Sequence, residues 1–270
     1  MTGRGEAPGA LDLGAVEVLL CDADGNLFPS EEPAFEASAE VTNGLLADLG
    51  IDRAFAPEDL RHRSMGKNFR ATASELAAES GVALAPEALE RWVLIEREAV
   101  VSHLASVLRP DPGVTDPLGA LARRFRLAVV SSSALPRLAA CLTATGLDDL
   151  LPPRLRFSAE DSLPAPTSKP DPAIYAFAGS QLGVSGTAAL AVEDAVAGVR
   201  SAVAAGFPTV GNLQFVPAEE VEARAAALLE AGAATIVPSW GHLARLLHDR
   251  RPTPVTSRGH DAGGLTAGRR

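Results

Sequence analysis

Lysine is nearly missing from this chain: of 24 basic residues only Lys67 and Lys169 are lysines. A general compositional preference for arginine explains that, yet it makes the position of each lysine worth tracing. Cysteine is as scarce. Cys21 and Cys141 are too few and too far apart for a disulfide framework or a zinc site, and both sit in apolar stretches, which predicts buried thiols in a reducing compartment. Aromatics make up 4% of a chain that is 47% hydrophobic, so the core must be filled mainly by Ala, Val and Leu. A net charge of −10 argues against nucleic-acid or membrane-surface partners, which need a basic face. Neither a signal-peptide h-region nor a long apolar run is seen, which predicts a cytoplasmic protein with no membrane span.

The 270 residues suit one large domain, or one domain carrying an insertion. Residues 1–14 and 251–270 are rich in Gly, Arg, Thr and Pro without periodicity and read as flexible tails. Between them, short β-type runs at 16–21, 127–130, 155–157, 189–192 and 209–211, with a weaker one at 235–237, alternate with helical patterns. That alternation predicts an α/β fold with a Rossmann-like parallel sheet. The first two strands are about a hundred residues apart, whereas later ones follow one another closely. Residues 31–107 are Ala-, Leu- and Glu-rich with helical periodicity, until Arg109-Pro110-Asp111-Pro112-Gly113 breaks the pattern. The expectation is a catalytic core over 15–30 and 108–250 and an inserted all-helical subdomain over 31–107, hinged near 29–33 and 109–113.

Chemistry concentrates at the strand ends. The first run leads into Cys21-Asp22-Ala23-Asp24-Gly25-Asn26, placing two carboxylates at the carboxyl edge of the sheet, where open α/β folds bind ligands. The second runs into Ser131-Ser132-Ser133. Ser168-Lys169-Pro170-Asp171 precedes a helical stretch, and the run at 189–192 ends in Glu193-Asp194, followed by Gly198. A plainer reading exists for each: Glu193-Asp194 suits a helix start, the serines a capping loop, Lys169 a solvated loop and Asp171 a turn.

Taken in order, the four motifs resemble the haloacid dehalogenase-like hydrolases over roughly residues 16–215, specifically the phosphoglycolate-phosphatase and β-phosphoglucomutase-like branch. The helical insertion then resembles that branch's cap. The resemblance implies a phosphatase acting on a small phosphorylated metabolite, such as a sugar phosphate or phosphoglycolate, through an aspartyl-phosphate. It implies Asp22 as nucleophile, Asp24 as general acid and base, Ser131 and Ser132 as phosphate-binding residues, and Lys169 as the neutralising cation. Mg²⁺ would be held by Asp22, the Asp24 carbonyl and Asp194, with Glu193 assisting. Physical chemistry agrees: clustered carboxylates raise one another's pKa values, so four of them make sense only as a cation site.

Departures are few. Asn26 stands where the family usually has Thr or Val, Ala195 where Ser is common, and Pro29 where an acid is frequent. Asp24 disfavours dehalogenation, whose enzymes lack that second acid, and disfavours the imine chemistry of phosphonoacetaldehyde hydrolases despite Lys67 in the insertion. Ala34 replaces the histidine of the mutases, which favours hydrolysis over phosphoryl transfer within a sugar phosphate. Arg63, Lys67 and Arg70, in Arg63-Ser64-Met65-Gly66-Lys67-Asn68-Phe69-Arg70, are candidates for a second anionic or hydroxyl group of the substrate, or else an exposed basic stretch paired with acids. A mutase and a non-catalytic binding protein remain the alternatives, and the expected assembly is a monomer or homodimer.

Overall fold

The computed structural model describes residues 13–64 and 68–249. Six strands form one sheet: β1 (Val18–Cys21), β2 (Arg126–Ser131), β3 (Arg156–Ser158), β4 (Ala189–Glu193), β5 (Thr209–Asn212) and β6 (Thr235–Val237). All pairings are parallel, and the spatial order is β3-β2-β1-β4-β5-β6. This is the doubly wound Rossmann order. Every expected run is a strand, with ends shifted by one or two residues. β1 and β4 are buried on both faces, which is why they read as unbroken apolar runs.

Alternate side chains serve opposite faces. Leu19, Cys21, Leu190 and Val192 join the larger core, and Val18, Leu20, Ala189 and Ala191 join the other. The larger core packs beneath α5 (Pro112–Leu121), α6 (Leu135–Ala144) and α10 (Trp240–Asp249). The second lies beneath α7 (Ala173–Leu182), and α8 (Val196–Ala204) and α9 (Val221–Glu230) complete the cover. Cys21 and Cys141 are buried and free, and burial pushes the Cys141 thiol up to about 12.

Between β1 and α5 the chain forms α1 (Glu31–Asp48), α2 (Pro57–Arg63), α3 (Phe69–Glu79) and α4 (Pro86–Val107). α1 packs along α4, with α2 and α3 beside them, and α4 also rests on α6. Local chemistry sets the boundaries. The Asn68 side chain accepts from the Ala71 amide at 3.0 Å to open α3. At the break over 109–113, Asp111 accepts from the Gly113 amide at 2.7 Å and Pro112 begins α5.

The tail expected over 1–14 ends earlier than anticipated, because Leu13–Ala15 form a 3-10 turn that buries Leu13 in the larger core. The rest of both tail assignments, and Lys67, lie outside the described residues. Among the described residues no helix is long and apolar enough to cross a membrane.

Candidate active site

β1 and β4 are neighbours, with Cys21 opposite Val192. The Asp22 amide continues the ladder by donating to the Val192 carbonyl at 3.0 Å, so Asp22 emerges beside Glu193. This is the point where the strand order reverses direction, and the pair stands at its carboxyl edge. The turn that follows depends on Gly25, whose φ of +79° side chains rarely adopt. A Cβ there would also stand 2.4 Å from Asp194 Oδ2.

Lys169 reaches into this edge and is used up by it. Its ammonium donates to Asp22 Oδ1, to Glu193 Oε1 at 2.7 Å and to the Val130 carbonyl at 2.7 Å, which accounts for all three of its hydrogens. The Tyr175 hydroxyl donates to the same Glu193 oxygen, and the ammonium lies 5.1 Å from the Tyr175 ring centroid. Burial alone would depress the Lys169 pKa, but the charges of Asp22 and Glu193 outweigh it and hold it above the ordinary lysine value.

One ammonium does not balance this site. Asp22, Glu193 and Asp194 each offer an oxygen within 4.8 Å of the others, and all three are buried. Burial pushes the Glu193 carboxyl up to about 7, and burial with the neighbouring Asp22 and Glu193 charges drives Asp194 well above the ordinary range. Asp22 is raised too, by burial that Lys169 only partly offsets. Glu193 Oε2 and Asp194 Oδ1 are buried with no hydrogen-bond partner. Three buried carboxylates with oxygens this close, two of their oxygens orphaned and two negative charges in excess of the ammonium, fit a hard divalent cation.

Asp24 turns away from that cluster. Its Oδ1 accepts from Ser30 Oγ at 2.5 Å and Arg137 Nη2 at 2.8 Å, and its Oδ2 accepts from Ser133 Oγ at 2.7 Å. Burial would raise its pKa, but the Arg137 charge and these hydrogen bonds outweigh it and hold the carboxyl below the usual range. Of the serines, Ser131 is buried and its Oγ accepts from the Ser133 amide at 3.0 Å, while Ser132 Oγ accepts from the Lys169 amide at 3.1 Å. Ser132 and Ser133 line a cleft of about 930 Å³ between the helical insertion and the sheet edge.

The structure thus brings Asp22, Asp24, Ser131, Ser132, Lys169, Glu193 and Asp194 to one edge. It does not bring Arg63 with them. That guanidinium pairs with Glu79 of α3 and lies outside the cleft lining. Arg70 does line the cleft, but Glu90 of α4 holds its guanidinium in a two-point pair.

Sequence reasoning missed Arg137, Ser30 and Tyr175. Pro136, in the first turn of α6, offered a signal: a helix beginning just after the serine loop must aim its first turn, and hence Arg137, at the same edge. Asn26, a departure from the family pattern, proves to be a buried staple. Its amide donates to the Asp22 and Val192 carbonyls at 2.9 and 3.0 Å, its Oδ1 accepts from Asn212 at 2.8 Å, and its carbonyl accepts from the Trp240 indole at 2.8 Å.

Residues 16–206 match the family model of haloacid dehalogenase-like hydrolases, and the chain belongs to that family. Among solved structures it is 25% identical to CbbY from Rhodobacter sphaeroides in complex with phosphate, over 84% of this chain and 96% of that one, with a TM-score of 0.64. It is equally 25% identical to a HAD family hydrolase from Deinococcus radiodurans with bound phosphate and sodium, over 87% and 96%, with a TM-score of 0.63. A protein described as a predicted phosphoglycolate phosphatase from Haemophilus somnus shares the fold at 21% identity, over 86% and 98%, with a TM-score of 0.67. Among curated proteins none matches the chain.

Proposed function

We propose that this protein is a Mg²⁺-dependent phosphomonoesterase of the cytoplasm, with Asp22 as nucleophile, Asp24 as acid and base, and residues 31–107 as the cap over the site. The observation that carries the reading is the Asp22 carboxyl at the β1/β4 edge, bonded to the Lys169 ammonium and clustered with the Glu193 and Asp194 carboxylates, two of whose oxygens lack partners. A phosphate dianion repels an anionic nucleophile, so positioning and charge neutralisation must supply most of the rate. Asp22, Asp194, Glu193 and the Asp24 carbonyl would hold the cation, which supplies charge neutralisation and orientation when bound.

Asp22 attacks phosphorus, a new P–O bond forms, and the bond to the leaving oxygen breaks. Lys169, fixed by Glu193 and Tyr175, offsets charge on the attacking carboxylate. The buried Arg137 Nε–H has no partner and is a donor available to a phosphoryl oxygen near Asp24. Asp24 gives a proton to the leaving oxygen, then takes one from the water that hydrolyses the aspartyl-phosphate. A pKa held below the usual carboxylate range suits the second step. For the first, a phosphate dianion close by favours the protonated form through like-charge repulsion. Ala34, in the cleft lining, offers no base for a second sugar oxygen, which favours release of inorganic phosphate over mutase chemistry.

The test is phosphate release from a panel of small phosphate esters, with Mg²⁺ and with EDTA. Metal-dependent release from a subset is expected. Isomerised sugar phosphate without net release would instead establish a mutase, and tight Mg²⁺ and phosphate binding with no turnover would mark a binding protein.

A further inference from the structure

The cleft that reaches the sheet edge at Ser132, Ser133 and Arg137 has an unusual charge arrangement. Three arginines line it, and each is already engaged: Arg70 by Glu90, Arg97 by Glu160 at 2.5 Å, and Arg137 by Asp24 at 2.8 Å. Two carboxylates of the insertion, Glu31 and Glu96, line it without any ion pair among the described residues. Glu96 accepts from Ser38 Oγ at 2.9 Å, and both residues face the cleft. Hydroxyl-bearing residues complete the wall, among them Thr42, which is 1% exposed and whose Oγ1 has no hydrogen-bond partner.

A buried hydroxyl without a partner costs free energy unless something fills its need. Carboxylates in a partly dry wall reject a second anion and reward a donor, whether a hydroxyl or an ammonium. We infer that the leaving group this cleft selects carries hydrogen-bond donors and no second anionic group, with Glu96 as the specificity-determining residue and Thr42 as a further contact. The inference rests on the phosphatase reading and narrows it. Phosphate monoesters of polyols, monosaccharides or amino alcohols fit, whereas phosphoglycolate and sugar bisphosphates would set a second negative charge against Glu96 and Glu31. Burial, which raises the Glu96 pKa in spite of Ser38 and the nearby Arg137 and Arg97 charges, accords with a carboxyl drawn out of water.

The experiment compares kcat/KM of the full chain, with Mg²⁺, for glycerol 3-phosphate, glucose 6-phosphate and phosphoethanolamine against phosphoglycolate and fructose 1,6-bisphosphate. p-Nitrophenyl phosphate serves as the control for chemistry. At least one of the first three is expected to exceed both anionic substrates by about tenfold or more, the scale of one charged hydrogen bond. Phosphoethanolamine leading the set identifies an ammonium as the preferred donor, and the other two identify hydroxyls. Glu96→Gln should shrink the ratio by a similar factor, chiefly through KM. Glu31→Gln provides the same readout if the first variant does not fold. Equal or better turnover of the anionic substrates overturns the inference while leaving the phosphatase reading intact. So does a preference for them that Lys67→Ala removes, since recognition would then belong to the segment over 65–67. No release from any ester, the nitrophenyl ester included, removes the phosphatase reading and the inference together.

Discussion

Glu193 lies so close over Gly198 that a Cβ on the glycine would stand 1.8 Å from Glu193 Oε2. Glu193 cannot move aside cheaply, since Lys169 and Tyr175 both hold its other oxygen. Gly198→Ala should therefore displace the carboxylate and lose most metal-dependent turnover. Overpacking of this kind costs about 1–3 kcal/mol of stability. Melting with and without Mg²⁺, beside phosphate release, checks it; an alanine variant with full activity would refute the rigid placement of Glu193.

Asp22→Asn removes the nucleophile while keeping the shape of its side chain. Turnover of every substrate should fall by more than about 10⁴-fold, with circular dichroism unchanged. Asp24→Asn should behave differently. Loss of a general acid costs about 10²–10⁴-fold for an alkyl leaving group. A nitrophenolate leaves without a proton, so the first step with p-nitrophenyl phosphate should be spared, visible as a burst of nitrophenol ahead of slow aspartyl-phosphate hydrolysis. Equal loss in single-turnover rates for both substrate types would remove the acid role.

Metal-free stability should depend on pH through Glu193 and Asp194. Both hold folded-state pKa values above their ordinary ones, Glu193 at about 7. A group raised on folding contributes stability that is complete below its unfolded value and is lost as pH climbs through the folded one. In EDTA the protein should lose about 3 kcal/mol between pH 5 and pH 8 from Glu193, a fall in Tm of roughly 5–10 °C. Mg²⁺ binds the deprotonated ligands, so its stabilisation should grow over the same window. A Tm in EDTA that is flat across that range, or a Mg²⁺ shift larger at pH 5, would contradict the cation site.

Tyr175→Phe leaves Glu193 Oε1 with Lys169 alone. Loss of a buried hydrogen bond to a charged acceptor should cost about 1.5–3 kcal/mol. Because the Lys169–Glu193 pair then has one fewer anchor, Mg²⁺ affinity should weaken as well. Calorimetric titration with Mg²⁺ reads the second effect apart from the first. Unchanged affinity would confine Tyr175 to packing.

Much of the architecture was written in local pattern. The six strands, the long helical insertion and the carboxylates at successive strand ends follow from apolar periodicity, turn chemistry and residue type, which act over short stretches of chain. Asp22, Glu193 and Asp194 were recognisable because their motifs sit directly behind strands, and a parallel sheet brings strand ends to one edge; Lys169 was recognisable in the Ser168-Lys169-Pro170-Asp171 stretch ahead of a helix. What side chains do once there is a different matter. Whether Arg63 faces substrate or Glu79, whether Arg70 is free or held by Glu90, and that Arg137 pairs with Asp24 all depend on which distant helices meet. Asn26 makes the same point: it reads as a departure in a loop, yet tertiary packing sets it beneath Asn212 and Trp240, far away in sequence. A local run of residues determines where a charge is carried, but its partner is chosen by chain segments brought together only when the core closes.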